Sequence, residues 1–136
     1  MIKLSIIIPV YNEIKTIEKL ITKIFKLQIK KQLIVVDDGS SDGTEILLKK
    51  YKKKIDKLII HKRNFGKGAA IKSAQKFVKG KYVAIQDADL EYNPKDYLKI
   101  IKPIIKKNVQ VVYGSRVLGK KRYGSKNFTS KFRIFS

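Results

Sequence analysis

Apolar positions alternate along the chain between two rhythms. Leu4–Ile8 is a short unbroken apolar run, the pattern of a strand buried on both faces, and Pro9 is expected to end it. Ile14, Ile17, Leu20/Ile21 and Ile24 then recur at helical spacing, with lysines on the opposite face. Leu33–Val36 reads as a second buried strand, and Asp37-Asp38-Gly39-Ser40 as its loop. Asp42 and Glu45 have capping-box spacing ahead of a second helix over Ile46–Tyr51. A third strand is expected at Leu58–Ile60, followed by the loop Arg63-Asn64-Phe65-Gly66-Lys67-Gly68. A small-residue helix comes next, with Ala70, Ile71, Ala74, Phe77 and Val78 on one face and Gly80 as its stop. Tyr82–Ile85 predicts a fourth strand that runs into Asp87-Ala88-Asp89. Asn93 caps and Pro94 opens a further helix, Pro103 kinks or ends it, and Val109–Val112 is a fifth strand.

This alternation predicts a single α/β domain, a parallel sheet with helices on both faces. The 136 residues suffice for one core. Ligands of open α/β sheets bind at the carboxyl ends of the strands. Here those ends read Pro9-Val10-Tyr11-Asn12-Glu13, Val36-Asp37-Asp38-Gly39-Ser40, Arg63 to Gly68, Asp87-Ala88-Asp89 and Gly114-Ser115-Arg116.

Charge changes the picture. Lys and Arg number 32 against 11 Asp and Glu, a net +21. Such a surface attracts anions, whether nucleic acid, acidic lipid or phosphate substrates; it also fits a plain habit of Lys- and Ile-rich composition. Against this background the acids fall in two tight groups. Asp37, Asp38, Asp42 and Glu45 form one, Asp87, Asp89, Glu91 and Asp96 the other, and no acid follows Asp96. No apolar run approaches the roughly 20 residues of a membrane span. The first strand starts close to Met1, so no signal peptide is expected. The absence of cysteine excludes disulfides and thiolate metal sites and is compatible with a reducing cytoplasm. His61 is the only histidine, which argues against a poly-His metal site or a Ser-His-Asp triad.

Asp87 and Asp89 stand where the chain leaves a buried strand. Two carboxylates there suit a hard divalent ion, Mg²⁺ or Mn²⁺, completed by substrate phosphates. A D-x-D by itself is more often a pair of solvated turn acids, a reading that its place directly after a buried strand weakens. Asp38 is a candidate acceptor for a base N–H or a ribose hydroxyl; its plain alternative, with Asp37, is to form the turn before Gly39. Asp42 and Glu45 read as helix caps. The amides of Gly66-Lys67-Gly68 open a helix and can meet an anion. Arg116 can pair with phosphate, or be a surface charge.

Taken in order, PVYNE at 9–13, VVDDGSSDGT at 35–44, RNFGKGAAI at 63–71, QDADLEYNP at 86–94 and GSR at 114–116 resemble the family 2 glycosyltransferases. The nearest likeness is to the branch that makes polyprenyl-phosphate sugars, such as dolichyl-phosphate mannose synthases. The resemblance implies a Rossmann-like GT-A fold, a three-layer α/β sandwich on a mostly parallel sheet. It implies an inverting hexosyltransferase that takes sugar from a UDP- or GDP-sugar. Pro9, Tyr11 and Glu13 would line the nucleotide pocket, Val36 would offer backbone and Asp38 its carboxylate to the base. Lys67 and Ala88 would also border the donor, and Arg116 would face the diphosphate or sugar. Asp87 and Asp89 would be the metal pair, with Asp89 the direct, catalytic ligand. Glu91 would be a further ligand, where some relatives use Gln. Residues 1–116 would form the nucleotide-sugar domain, and 117–136 the start of an acceptor-side or membrane-proximal segment. Relatives continue well past the GSR segment, so a fragment or a truncated, inactive protein is expected.

A phosphate-monoester acceptor needs no general base, and no carboxylate follows Asp96 to serve a hydroxyl. Polyprenyl phosphate is therefore the favoured acceptor, and a saccharide hydroxyl of a cell-envelope polysaccharide the alternative. Phe128, Phe132 and Phe135 among Lys126, Lys131 and Arg133 would begin an interfacial helix, or be a frayed tail. The expected location is cytoplasmic, with peripheral contact at the inner face of the membrane. Two rivals come from other classes. A nucleic-acid-binding module rests on the charge alone and lacks a reading motif, so no nucleic acid is expected. A nucleotidyltransferase would show a Gly-rich loop after the first strand, and PVYNE is not one.

Overall fold

A computed structural model of the chain describes residues 4–89, 111–114 and 132–135, together with Asp96 and Lys99. The strands are β1 (Leu4–Val10), β2 (Lys31–Asp37), β3 (Lys57–Ile60), β4 (Tyr82–Ile85), β5 (Val111–Gly114) and β6 (Phe132–Phe135). The helices are α1 (Ile17–Phe25), α2 (Thr44–Lys50) and α3 (Lys67–Gln75), with a 3-10 turn at Lys52–Lys54. The sheet order is β3-β2-β1-β4-β6-β5. The first four strands are parallel, and β6 runs antiparallel to both β4 and β5. This is the mostly parallel α/β sheet that the alternating pattern predicts.

The strand period of two sorts side chains into two cores. Leu4, Ile6, Ile8 and Val10 of β1 face α1 and α2, where Ile17, Leu20, Ile21, Ile24 and Leu48 complete one cluster. Ile7, with Ile34 and Val36 of β2, faces α3, and meets Ala70 and Ala74. Alanine at both positions lets α3 lie close on the sheet. The result is three layers, α1 and α2 over one face and α3 over the other.

Several boundaries differ from the pattern. Pro9 does not end the first strand; it pairs with Val36 inside the β1–β2 ladder, which continues to Val10↔Asp37. Backbone groups of successive residues turn to opposite neighbours. The Ile7 carbonyl accepts from Gln86 on the β4 side, and the Val10 carbonyl accepts from Asp38 on the β2 side. Pro9 thus turns its protonless nitrogen toward β4, beyond the last β1–β4 pair, Ile7↔Ile85, where no ladder bond is lost. The second helix begins at Thr44 and has Gly43 at its N-cap. Asp42 serves its start from one residue earlier, by accepting from the Thr44 amide at 3.0 Å, while Glu45 pairs with Lys49 rather than closing a capping box. α3 starts at Lys67 and ends at Gln75. Phe77 and Val78 reach the core from the turn after it.

Gly80 is therefore not the helix stop. A Cβ there would lie 2.5 Å from the Ser5 amide nitrogen. Its own amide donates to Ser5 Oγ, which donates to Gln32 Oε1 in a buried polar knot that also holds the Phe77 carbonyl and the Lys79 amide. Residues 132–135, expected to open an interfacial helix, form β6 instead; Phe128 lies outside the described residues. Of the helix expected from Asn93, Asp96 and Lys99 are described, and both are helical. Val109 and Pro103 also lie outside them.

Two glycines give opposed expectations. Gly39 has φ +75°, and an added Cβ would sit 2.3 Å from the Arg63 carbonyl carbon. Gly39→Ala should cost at least about 2 kcal/mol. Gly68 lies inside α3 with nothing within 4 Å of an added Cβ, so Gly68→Ala should gain about 0.5–1 kcal/mol. Urea unfolding of both variants checks the pair; equal effects would contradict it.

Candidate functional site

The chain runs outward from β1 through β2 to β3 and then returns to the other side of β1 as β4. That reversal leaves a crevice between the carboxyl ends of β1 and β4, the place where open α/β sheets bind ligands. A cleft of about 310 Å³ lies there, lined by Pro9, Val10, Tyr11, Glu13, Asp38, Asn64, Gly66, Lys67, Asp87, Ala88 and Asp89. The structure thus brings together most of the residues singled out from sequence. Val36 is buried in the sheet against α3 and is not among the lining residues. Glu91 and Arg116 lie outside the described residues.

Two loops form the β1–β2 side and brace each other. Asn12, at φ 52°, accepts from the Ser41 amide through Oδ1, and its own amide donates to Ser40 Oγ. The Glu13 amide donates to Thr44 Oγ1, and the Ile14 amide to Asp42 Oδ2. Asp37 Oδ1 accepts from the Ser40 amide, forming the turn into Gly39. Across the cleft mouth the Thr16 hydroxyl lies 2.9 Å from both Glu13 Oε2 and the Ala88 carbonyl, tying the start of α1 to the Asp87–Asp89 loop. Tyr11 stands half exposed at the rim.

Asp38 organises the far wall. Its carboxylate accepts from His61 Nδ1 at 2.7 Å, from the Phe65 amide at 3.0 Å and from the Gly66 amide at 2.8 Å. The second ring nitrogen of His61 is 2.9 Å from Ser73 Oγ on α3, and the ring meets Phe65 edge-on, with centroids 5.5 Å apart. Burial pushes the Asp38 carboxyl up, but the Phe65 amide, the His61 ring and the Gly66 amide outweigh it and hold it below its ordinary value. Asp42 is likewise held low: burial acts upward, and the Thr44 hydroxyl and amide and the Ile14 amide outweigh it.

Sequence reasoning passed over His61 and Asn64. A single histidine argues against a catalytic Ser-His-Asp triad, but not against the structural Asp–His–Ser string that His61 makes here. Its place one residue past β3, on the same edge as the acids, was the available signal. Ser73 is not among the cleft-lining residues, so the string here fastens β3 and α3 to Asp38.

On the β4 side, Lys67 is the first residue of α3, and its ammonium pairs with Asp87 Oδ1 across the cleft. Asp87 and Asp89 offer the oxygen donors that Mg²⁺ and Mn²⁺ take, and the Lys67 ammonium shows that Asp87 presents an oxygen to a cation in this cleft. Among the described residues no group of three or more acids or histidines is close enough to cage a metal. Asp87 and Asp89 supply oxygen donors of the kind that such an ion takes alongside substrate phosphate and water.

The fold is of the GT-A class of α/β domains, to which its structural neighbours belong. A mannosyltransferase of Pyrobaculum calidifontis, solved with GDP-Man and Mn²⁺, shares the fold at a TM-score of 0.79 and 23% identity, over 98% of this chain and 44% of its own. The chain belongs to glycosyl transferase family 2, whose family profile matches residues 5–135. It is 36% identical over 117 residues to an uncharacterised protein of Methanocaldococcus jannaschii, covering 81% of this chain and 50% of the relative. It is 27% identical to the dodecaprenyl-phosphate galacturonate synthase of Rhizobium johnstonii, covering 85% and 36%. It is 34% identical to the undecaprenyl-phosphate 4-deoxy-4-formamido-L-arabinose transferase of Salmonella choleraesuis, covering 73% and 32%. S. aureus TarS with UDP-GlcNAc matches at a TM-score of 0.71 and 28% identity, over 81% of this chain and 33% of that one. Glucosyl-3-phosphoglycerate synthase of Mycobacterium tuberculosis, solved with Mn²⁺ and UDP, matches at 0.66 and 25%, over 80% and 42%. The chain spans half or less of the length of these curated relatives.

The depressed Asp38 carboxyl sets a pH dependence. Its contribution to stability is complete above the ordinary value of 3.8 and is lost as pH falls through its lower native value. Asp38→Asn should cost about 1–3 kcal/mol at neutral pH. The gap between parent and variant should narrow as pH drops below about 4. Urea unfolding at pH 7, 4 and 3 measures it; a gap unchanged across that range would contradict the linkage.

Proposed function

We propose that this chain is the donor-binding part of an inverting glycosyltransferase that moves a sugar from a UDP- or GDP-sugar to a polyprenyl phosphate. The observation that carries the reading is the single cleft in which Tyr11, Glu13, Asp38, Lys67, Asp87 and Asp89 meet at the sheet's switch point. Tyr11 offers an aromatic face at the rim and Asp38 a carboxylate on the far wall for the base. Lys67 and the amides at the start of α3 favour the diphosphate. Asp87 and Asp89, with Glu91, would hold Mg²⁺ or Mn²⁺, which would neutralise charge on the leaving nucleoside diphosphate. Arg116 would add a further cation for the diphosphate or sugar.

In the transfer itself a phosphate oxygen of the acceptor attacks C1 of the sugar from the face opposite the leaving group. The bond from C1 to the diphosphate oxygen breaks, and the nucleoside diphosphate departs with that electron pair. An anionic acceptor needs no proton removed. Two of the relatives above act, by their names, on dodecaprenyl or undecaprenyl phosphate. The net charge of +21 favours the negative cytoplasmic leaflet, where each nearby lysine adds about 1 kcal/mol of attraction. Among the described residues no helix is long and apolar enough to cross a membrane. The charge is the ground on which we place the protein at the inner face, in peripheral contact. On this reading residues 1–116 supply the donor site, and 117–136 begin the acceptor or membrane-proximal side.

Titration with a UDP-sugar and a GDP-sugar, with and without Mn²⁺, tests the donor site. Asp89→Ala should leave the fold intact and abolish the Mn²⁺-dependent gain in affinity, a loss of about tenfold or more. Equal behaviour of variant and parent would remove Asp89 from the site. The full reading frame, offered polyprenyl phosphate and a saccharide in parallel, should glycosylate the first; transfer only to the saccharide hydroxyl would reject the acceptor.

A further inference from the structure

Lys67 occupies an awkward position for a cation. It is the first residue of α3, where the helix macrodipole is positive, and the first turn of α3 holds no acid to offset it. Its neighbours in the cleft account for the placement: the ammonium crosses to Asp87 and neutralises the first carboxylate of the D-x-D pair. Both partners remain open to solvent, with side-chain exposures of 55% for Lys67 and 32% for Asp87. The pair can therefore part without disturbing the core. A four-carbon stem also lets the ammonium move while the helix stays in place.

We infer that Lys67 is an exchangeable counter-ion which occupies Asp87 in the donor-free protein and moves to the diphosphate when the nucleotide binds. The inference rests on the metal and donor assignments proposed above. In the free protein, Lys67 competes with a divalent cation for Asp87 and repels it. When a diphosphate lies at the start of α3, Lys67 gains a second anionic partner of higher charge, and Asp87 is released to the cation. Cation and nucleotide thereby favour each other's binding, because one residue mediates both equilibria. Free protein binds divalent cation weakly, and protein with nucleotide binds it well.

The test is direct Mn²⁺ binding, read from the electron paramagnetic resonance signal of free Mn²⁺. Parent, Lys67→Met and Lys72→Met are each titrated alone and with saturating UDP or GDP, whichever binds the parent. Lys72 is exposed on α3 and outside the cleft, so its loss changes net charge without touching the pair. Without nucleotide, K67M should bind Mn²⁺ roughly two- to fivefold more tightly than the parent, the range that exposed ion pairs reach. Nucleotide should raise Mn²⁺ affinity less in K67M than in the parent, and K72M should match the parent in both. Equal Mn²⁺ affinity of free parent and free K67M would overturn the exchange, as would an equal gain in K72M. Absence of Mn²⁺ binding by the parent and K67M, with and without nucleotide, would instead remove the metal site itself, and the exchange with it.

Discussion

The cleft depends on a ladder that stops. β1 is flanked by β2 and β4, and on the β2 side its pairing runs to Val10↔Asp37. On the β4 side it ends at Ile7↔Ile85, two residues before Pro9 turns a nitrogen without a proton toward that strand. β4 ends at Ile85, so the nitrogen at position 9 has no ladder partner to donate to. The strand order also reverses here, since β2 and β3 lie on one side and β4 on the other. Chain reversal parts the loops, and the interrupted ladder gives them room. Everything that lines the site follows from these two facts, because each parallel strand delivers its next residues to the same edge.

The acids of this basic chain divide by what they do on that edge. Asp37 and Asp42 accept backbone amides in the loop that braces Asn12, Glu13 and Ile14. Asp56, far from the cleft, fixes the Leu33 amide at 2.7 Å at the other end of β2. With a net charge of +21, a carboxylate left in solvent is surrounded by cations. The local hydrogen bonds fix which acids become structural and which stay accessible in the cleft, and net charge alone does not.

Much of this was legible in the residue pattern. Apolar runs located β1 to β4; β1 and β2, buried on both faces, leave almost no polar position, and the edge strand β3 and β4 are only partly buried. Helical spacing located α1 and α3, and the strand ends gathered most of the lining residues. The errors share a cause. Pro9 reads as a stop because its nitrogen cannot donate, yet only the neighbouring strand's length determines whether a donor is needed there. Gly80 reads as a cap because glycine adopts left-handed backbone freely, but here it is required by the approach of Ser5, a residue 75 positions away. Phe132 and Phe135 read as one face of a helix, whereas they bound a four-residue strand whose partners, β4 and β5, lie far back in the chain. His61 carries no periodic signal at all. In each case the deciding contact is long-range, which local spacing does not encode.

Asp38 and Asp87 show how one residue type serves opposite purposes across the same cleft. Asp38 is only 3% exposed and held by two amides and an imidazole that are themselves anchored to β3 and α3. Moving it would strand three donors, so it behaves as part of the scaffold and presents a constant surface to whatever lies above. Asp87 is held by a flexible ammonium at the end of a solvated side chain. An exposed ion pair contributes at most about 1 kcal/mol, little enough for an incoming anion and cation to divide the partners between them. A rigid carboxylate on one wall can discriminate by shape, and a loosely paired charge on the other can respond to ligand charge. On the proposed reading the site holds a nucleoside diphosphate while its sugar is transferred, and the partners of the two carboxylates set the rigid and the responsive contact on opposite walls.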